Sequence, residues 1–354
     1  YVHFTATSYD IIENANALRY KDVTERIVIP DLINLEKTLI ELALREKSTL
    51  QIGRTHGQHA EPITFGFTIS SYVSRLGNRI KAIQKHADNL RGKFSGAVGA
   101  YNASSLFFKD PEEFEKLILD ELGLKPCIQS SQIAEPEHIT DFVHSIISCF
   151  SVLANVADDM RNLQRSEINE VAEIFGKKQV GSSTMPHKRN PINFENIKSM
   201  YKEFMPRMVT RYSDQISDHQ RDLTNSASSR FIPEIITALV LRVNRLNKVM
   251  SRLVVDEASL EKNFDKNKNM IAAEPAYILL AAKGHPDAHE YIRKKTMESE
   301  KTGEPLQKLL FEDKSIQEYL EKLNTSQIEI LKNPEKYIGI ASKKVEKVCN
   351  YWKN

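Results

Sequence analysis

The stretch Ile139-Thr140-Asp141-Phe142-Val143-His144-Ser145-Ile146-Ile147-Ser148-Cys149-Phe150-Ser151-Val152-Leu153-Ala154-Asn155-Val156-Ala157-Asp158-Asp159-Met160 decides the fold. Its residues Ile139, Val143, Ile146, Phe150, Leu153, Ala157 and Met160 are apolar and stand alternately four and three apart. At about 3.6 residues per turn this spacing lays one apolar stripe along a helix, whereas a half-buried strand would alternate every second residue. The pattern recurs in Ile69, Val73, Leu76, Ile80, Ile83, Ala87 and Leu90, and in Ile232, Ile236, Leu239, Val243, Leu246, Met250 and Leu253. A stripe of that length makes a rod of roughly 30 Å, the helix of a bundle. Two more helices are expected, from about Pro30 to Lys47 and from Pro191 to Ile216. Glycine and proline number only 13 each in 354 residues, and strand signals are nearly absent. The expected fold is all-α: an elongated bundle of long helices over 1–255, then a small helical C-terminal domain over 256–354, where the repeat weakens and charge increases.

Polar connections separate the rods: Gly53 to Pro62, Gln129 to Pro136, Val180 to Pro191 and Ser217 to Arg230. Antiparallel packing would gather them at the bundle ends. A net charge of +2 gives no electrostatic reason to expect nucleic acid or an anionic membrane as partner. Cys127, Cys149 and Cys349 lack metal or redox spacing and read as reduced thiols of a cytoplasmic protein. The longest apolar stretch, Ile146 to Ala157, is too short and too interrupted by serine to span a bilayer. The chain begins at Tyr1, already inside what reads as a motif, so an N-terminal portion is expected to be missing; residues 1–10 would be the remnant of that junction.

The chemistry-bearing residues concentrate in the connections. In Gly181-Ser182-Ser183-Thr184-Met185-Pro186-His187-Lys188-Arg189-Asn190-Pro191, two hydroxyls follow a glycine, with a cation behind them. With Asn190 as N-cap and Pro191 at the first helical position, backbone N–H groups would point back at the loop and favour an anion. In Gly53-Arg54-Thr55-His56-Gly57-Gln58-His59-Ala60-Glu61-Pro62, His56 lies on a tight polar turn, where an imidazole can titrate near neutral pH. A structural histidine is the alternative, as is a metal site from His56, His59 and Glu61, although their spacing matches no common ligand set. Near the start, Thr7 or Ser8 would cap a helix and offer donors to a carboxylate. Arg221, Ser226 and Arg230 suit a phosphate, because the guanidinium fork matches its oxygens, and Ser226 would share a face with Arg230 if that stretch is helical.

The loop from Gly181 to Pro191 resembles the signature loop of the fumarase/aspartase superfamily, and its Met-Pro-His-Lys-Arg-Asn-Pro form resembles the adenylosuccinate lyase branch. The resemblance covers nearly the whole chain. It implies the superfamily's central helical domain and β-elimination of fumarate from a succinyl group, without metal or organic cofactor. The implied substrates are nucleotides, adenylosuccinate giving AMP and SAICAR giving AICAR. The general base would be Ser182, with Ser183 as runner-up, and the general acid His56. Lys188 and Asn190 would bind carboxylate and stabilise charge, and Glu195 would partner the catalytic histidine. His3, Thr7, Ser8 and Gln132 would contact substrate, while Arg221, Ser226 and Arg230 would grip its phosphate. The family is a homotetramer whose long helices form a shared core, each active site drawing on three subunits, and its N-terminal domain supplies a further histidine. Competing readings are a sister enzyme such as argininosuccinate lyase and a non-catalytic helical scaffold. A scaffold would not need Ser182, Lys188 and His56, and all three are present.

Overall fold

In the computed structural model, which describes residues 3–174, 185, 188–216, 219–220 and 224–353, helix dominates. The chain divides into two compact units, one comprising 1–38, 72–161 and 174–252, the other 39–71, 162–173 and 253–354. The helical run opens with α1 (Ser8–Val23), continues through one π-helical turn (Thr24–Val28) and enters α2 (Ile29–Arg45). The widened turn has a local cause. Pro30 has no N–H to offer the carbonyl of Arg26, and just ahead of it Ile29 N–H bonds the carbonyl of Thr24.

The three striped segments become α3 (Phe65–Asp88), α5 (Pro136–Leu163) and α8 (Ile232–Met250), with α4 (Pro111–Glu121) between the first two. Every residue of the three stripes is buried except Ile80 and Ile139, which are half-buried. In the first unit α3 and α5 run antiparallel. Tyr72 donates to Asp159, Arg75 Nη1 to Asn155 Oδ1 at 2.6 Å, and Arg79 Nη1 to Ser148 Oγ at 3.0 Å, so rising numbers on one helix meet falling numbers on the other. Helix α5 also buries Phe142, Ile147, Cys149, Val152 and Val156, so neighbours cover it on more than one face. At 28 residues it is long and apolar enough to cross a bilayer, which the Ile146–Ala157 run alone did not suggest; 67% of its apolar window is buried inside the protein, as in a core helix.

The helix expected from Pro191 to Ile216 is two helices, α6 (Ile192–Phe204) and α7 (Arg207–Ser213). The break falls at Pro206, which cannot donate to the carbonyl of Lys202 and whose ring crowds it. Pro191, not Asn190, occupies the cap position, and no side chain caps the helix. Helix α6 packs along α8, where Arg242 bonds Asn196 and Arg245 Nη1 reaches Asn193 Oδ1 at 3.1 Å.

The second unit holds the main departure from an all-helical expectation, an antiparallel hairpin of β1 (Leu50–Thr55) and β2 (Gln58–Thr64). Thr55 pairs with Gln58, leaving a two-residue turn at His56-Gly57 whose φ angles are 53° and 75°. Positive φ at both turn positions matches the strand twist, and glycine at the second makes it inexpensive. Beyond it, α9 (Glu257–Asp265) leads into shorter helices, including Ala273–Ala282, Ala288–Thr302, Leu306–Glu312 and Thr325–Lys332. These bury Leu280, Ile292, Leu306, Leu310 and Leu331 in a core of their own.

Candidate active site

In the first unit, Thr7 is the N-cap of α1, with extended dihedrals (φ −101°, ψ 170°), and Ser8 is the first helical residue, exposed. Thr7 N donates to Asp10 Oδ2 at 2.8 Å, the return arm of a capping box. The hydroxyls of Thr7 and Ser8 stand at the positive end of the helix dipole, an arrangement that suits a carboxylate. His3 is exposed in the preceding turn, its carbonyl accepting from Ala6 N at 3.0 Å.

Gln132 is half-buried, and its N–H reaches the carbonyl of Gln220 at 3.3 Å. The 130–132 loop therefore lies beside the segment that leads to Ser226 and Arg230. That segment is anchored on the end of α7: Asn225 Nδ2 donates to Asp214 O at 2.6 Å, Ser228 Oγ to Asp214 Oδ1 at 2.8 Å, and Arg211 pairs with Asp214 at 2.8 Å. Ser226 is half-buried in a turn, and exposed Arg230 lies in the 3₁₀ turn Ser228–Phe231 that enters α8. The α-helical face expected to join Ser226 and Arg230 does not form there. Lys188 is exposed, with its N–H on the carbonyl of Met185 at 3.0 Å; Asn190 is half-buried; Glu195 is exposed in the first turn of α6. Ser182, Ser183 and Arg221 lie outside the described residues.

In the second unit, His56 is exposed at the hairpin tip. The base of the hairpin is held by Glu170, fully buried, which accepts from Gln51 Nε2 at 2.8 Å, Arg54 Nη2 at 2.5 Å and Asn263 Nδ2 at 2.9 Å. Thr68 Oγ1 donates to Gln51 Oε1 at 2.7 Å, which sets the amide so that its NH₂ faces Glu170. Burial, aided by the charge of Arg54, lowers the pKa of His59 and keeps its ring neutral at physiological pH. A rigid base with an exposed imidazole at its tip can deliver a proton to a bound molecule.

Cys127, Glu135 and His138 bring one ligand atom each within 4.8 Å of one another, a grouping that cysteine spacing did not suggest. Hydrogen bonding accounts for it. Arg91 Nη2 holds Asn89 Oδ1 at 2.7 Å, so Asn89 Nδ2 donates to His138 Nδ1 at 3.1 Å. The ring proton then sits on Nε2 and faces Glu135 Oε2, also at 3.1 Å, which leaves neither nitrogen a lone pair for a cation. His138 and Glu135 also line a cavity of about 90 Å³ with Tyr20, Arg91 and Arg211, and among the described residues no sequence-derived candidate lines it. The sequence reading missed Asp10, Lys93 and Ser95, which tie the Thr7 and Gln132 segments together. The available signal was the stretch Ser95-Gly96-Ala97-Val98-Gly99, whose two glycines mark an irregular segment.

The fold is shared with the solved structure of 3-carboxy-cis,cis-muconate lactonizing enzyme from Pseudomonas putida, with a TM-score of 0.85 at 23% identity over 99% of this chain and 77% of that one. A fumarate lyase from a Mesorhizobium species gives 0.82 at 21% identity, covering 98% and 78%. Adenylosuccinate lyase of Pyrococcus abyssi is 39% identical over 99% of this chain and 77% of its own length, and that of Pyrococcus horikoshii is 37% identical with the same coverage. Adenylosuccinate lyase of Archaeoglobus fulgidus is 34% identical over 99% of this chain and 78% of its own. The Lyase family matches residues 1–205 and the Adenylosuccinate lyase C-terminal family residues 217–338. On these matches, the chain belongs to the adenylosuccinate lyase family of the fumarase/aspartase superfamily.

Proposed function

We propose that this chain is a lyase of purine nucleotide synthesis that releases fumarate from adenylosuccinate to give AMP, and from SAICAR to give AICAR. The observation that carries the reading is the match to adenylosuccinate lyases over 99% of the chain, and the resemblance of the loop from Gly181 to Pro191 to the superfamily's signature loop supports it. Ser182 removes a proton from the succinyl carbon next to a carboxylate, and Ser183 is the runner-up for that role. The resulting carbanion is stabilised by Lys188 and by N–H donors. The carbon–nitrogen bond then breaks, its electron pair goes to nitrogen, and His56, oriented through Glu195, supplies the proton. Thr7, Ser8, His3, Gln132 and Asn190 hold the succinyl carboxylates, while Arg221, Ser226 and Arg230 hold the phosphate.

The homotetramer with sites shared among subunits, which the family resemblance implies, belongs to the same reading. The working compartment is the cytoplasm. Fumarate release from adenylosuccinate by the full-length protein, abolished in Ser182→Ala with the fold retained, is the expected result. Turnover of argininosuccinate in preference would overturn the substrate, and near-normal turnover by Ser182→Ala would remove Ser182 as the base.

A further inference from the structure

Asp10 and Lys93 form an ion pair with both side chains fully buried. Taking two charges out of water costs more than their attraction commonly returns, and an apolar replacement is often at least as stable. Such a pair is better explained by what it orients. Asp10 gathers donors from two directions. Its Oδ2 accepts from Thr7 N at 2.8 Å, and its Oδ1 accepts from Lys93 Nζ and from Ser95 N at 3.1 Å. Gly96 N lies 3.3 Å from Oδ1 and 3.2 Å from Oδ2. Lys93 Nζ donates a second bond, to Gly96 O at 3.1 Å. One turn along α1, Asn14 locks the Lys93 backbone by accepting from its N–H and donating to its carbonyl, each at 2.9 Å.

The loop held in this way carries the constraint onward. Ser95 Oγ lies 2.6 Å from Ser130 Oγ. Gly99 (φ +78°) comes so close that a Cβ there would stand 2.0 Å from the carbonyl oxygen of Ser130. A second anchor holds the loop from outside, since Glu115 accepts from Phe94 N and from the Tyr101 hydroxyl, both at 2.6 Å.

We propose that Asp10 and Lys93 are positioning residues. Their buried pair clamps the capped end of α1, with Thr7 and Ser8, to the 93–99 loop, and through Ser95 and Ser130 sets its distance from Gln132. The proposal rests on the lyase reading for what Thr7, Ser8 and Gln132 do, namely hold the succinyl carboxylates. It follows that the clamp governs affinity for the dicarboxylate half of the substrate more than for the phosphate half, whose segment it reaches only through the bond from Gln132 N–H to the Gln220 carbonyl.

The test uses the full-length protein with Asp10→Asn and Ser95→Ala. Asp10→Asn turns an acceptor into a donor facing N–H groups and leaves Lys93 without its counter-charge. Ser95→Ala removes only the link to Ser130 and buries no unpaired charge, so it remains informative if Asp10→Asn fails to fold. Succinate and AMP serve as separate inhibitors of adenylosuccinate cleavage, and hydrogen exchange is followed at 5–8 and 130–132. In Asp10→Asn, succinate inhibition is expected to weaken on the order of tenfold while AMP inhibition stays within about twofold. Ser95→Ala is expected to weaken succinate inhibition several-fold at an unchanged melting temperature, with faster exchange at 130–132. Equal weakening toward both inhibitors, or unchanged succinate inhibition and unchanged exchange in Ser95→Ala, would overturn the clamp. If the unmodified protein releases no fumarate, the lyase reading falls, and the exchange measurement still judges the clamp.

Discussion

Replacing Glu36 by methionine should stabilise the protein more as pH rises. Glu36 lies on α2, 5% exposed, and among the described residues neither of its carboxylate oxygens has a hydrogen-bond partner. Burial alone pushes its pKa from the ordinary 4.5 up to about 8. The folded state therefore keeps a proton that the unfolded chain releases between those two values. The contribution of Glu36 to stability is greatest below pH 4.5, falls by about 1.4 kcal/mol per pH unit as pH rises, and levels off above about 8. Between pH 5.5 and 8.5 the carboxyl costs roughly 3 kcal/mol. Glu36→Met keeps the approximate volume and removes the titration. At pH 5.5 it should lie within about 1.5 kcal/mol of the unmodified protein. At pH 8.5 it should be more stable by roughly 3 kcal/mol beyond whatever difference exists at pH 5.5. Guanidinium unfolding at both pH values measures this, with protein concentration fixed because subunit association shifts apparent stability. A difference between the two proteins that does not change with pH would refute the reasoning, since it would mean that Glu36 is solvated or paired.

Gly99→Ala should lower stability by more than about 1 kcal/mol, because positive φ and the Ser130 carbonyl both oppose a side chain there; an unchanged denaturation midpoint would count against the close approach. Glu170→Gln leaves the Arg54 guanidinium without its buried counter-charge and should cost about 2 to 4 kcal/mol, with faster exchange across 50–64 than elsewhere. Exchange raised uniformly over the molecule would mean that Glu170 supports the whole unit and not the hairpin in particular.

The sequence alone determined the long helices, because a helical stripe is a local property: each turn repeats the demand of the one before, and nearly every stripe residue of α3, α5 and α8 is buried. It also placed most of the candidate site residues in the connections between helices. The split at Pro206 was available in the sequence, since proline breaks a helix by its own chemistry, but the expected helix ran straight through it. The hairpin was harder to read. Gly53 and Pro62 interrupt its strands, and its register slips between Ile52 and Arg54, so no period of two runs long enough to register. What only the tertiary structure decided is which distant residues meet. Asp10 and Lys93 are 83 positions apart, and Arg54 and Glu170 are 116 apart. No periodicity links such partners, because a buried charge pair is specified by where helices and loops come together in space. Seen along the chain, Asp10 is one more acid in a first helical turn and Lys93 one more lysine in a loop. Their shared burial, which excludes water from both, exists only in the folded chain.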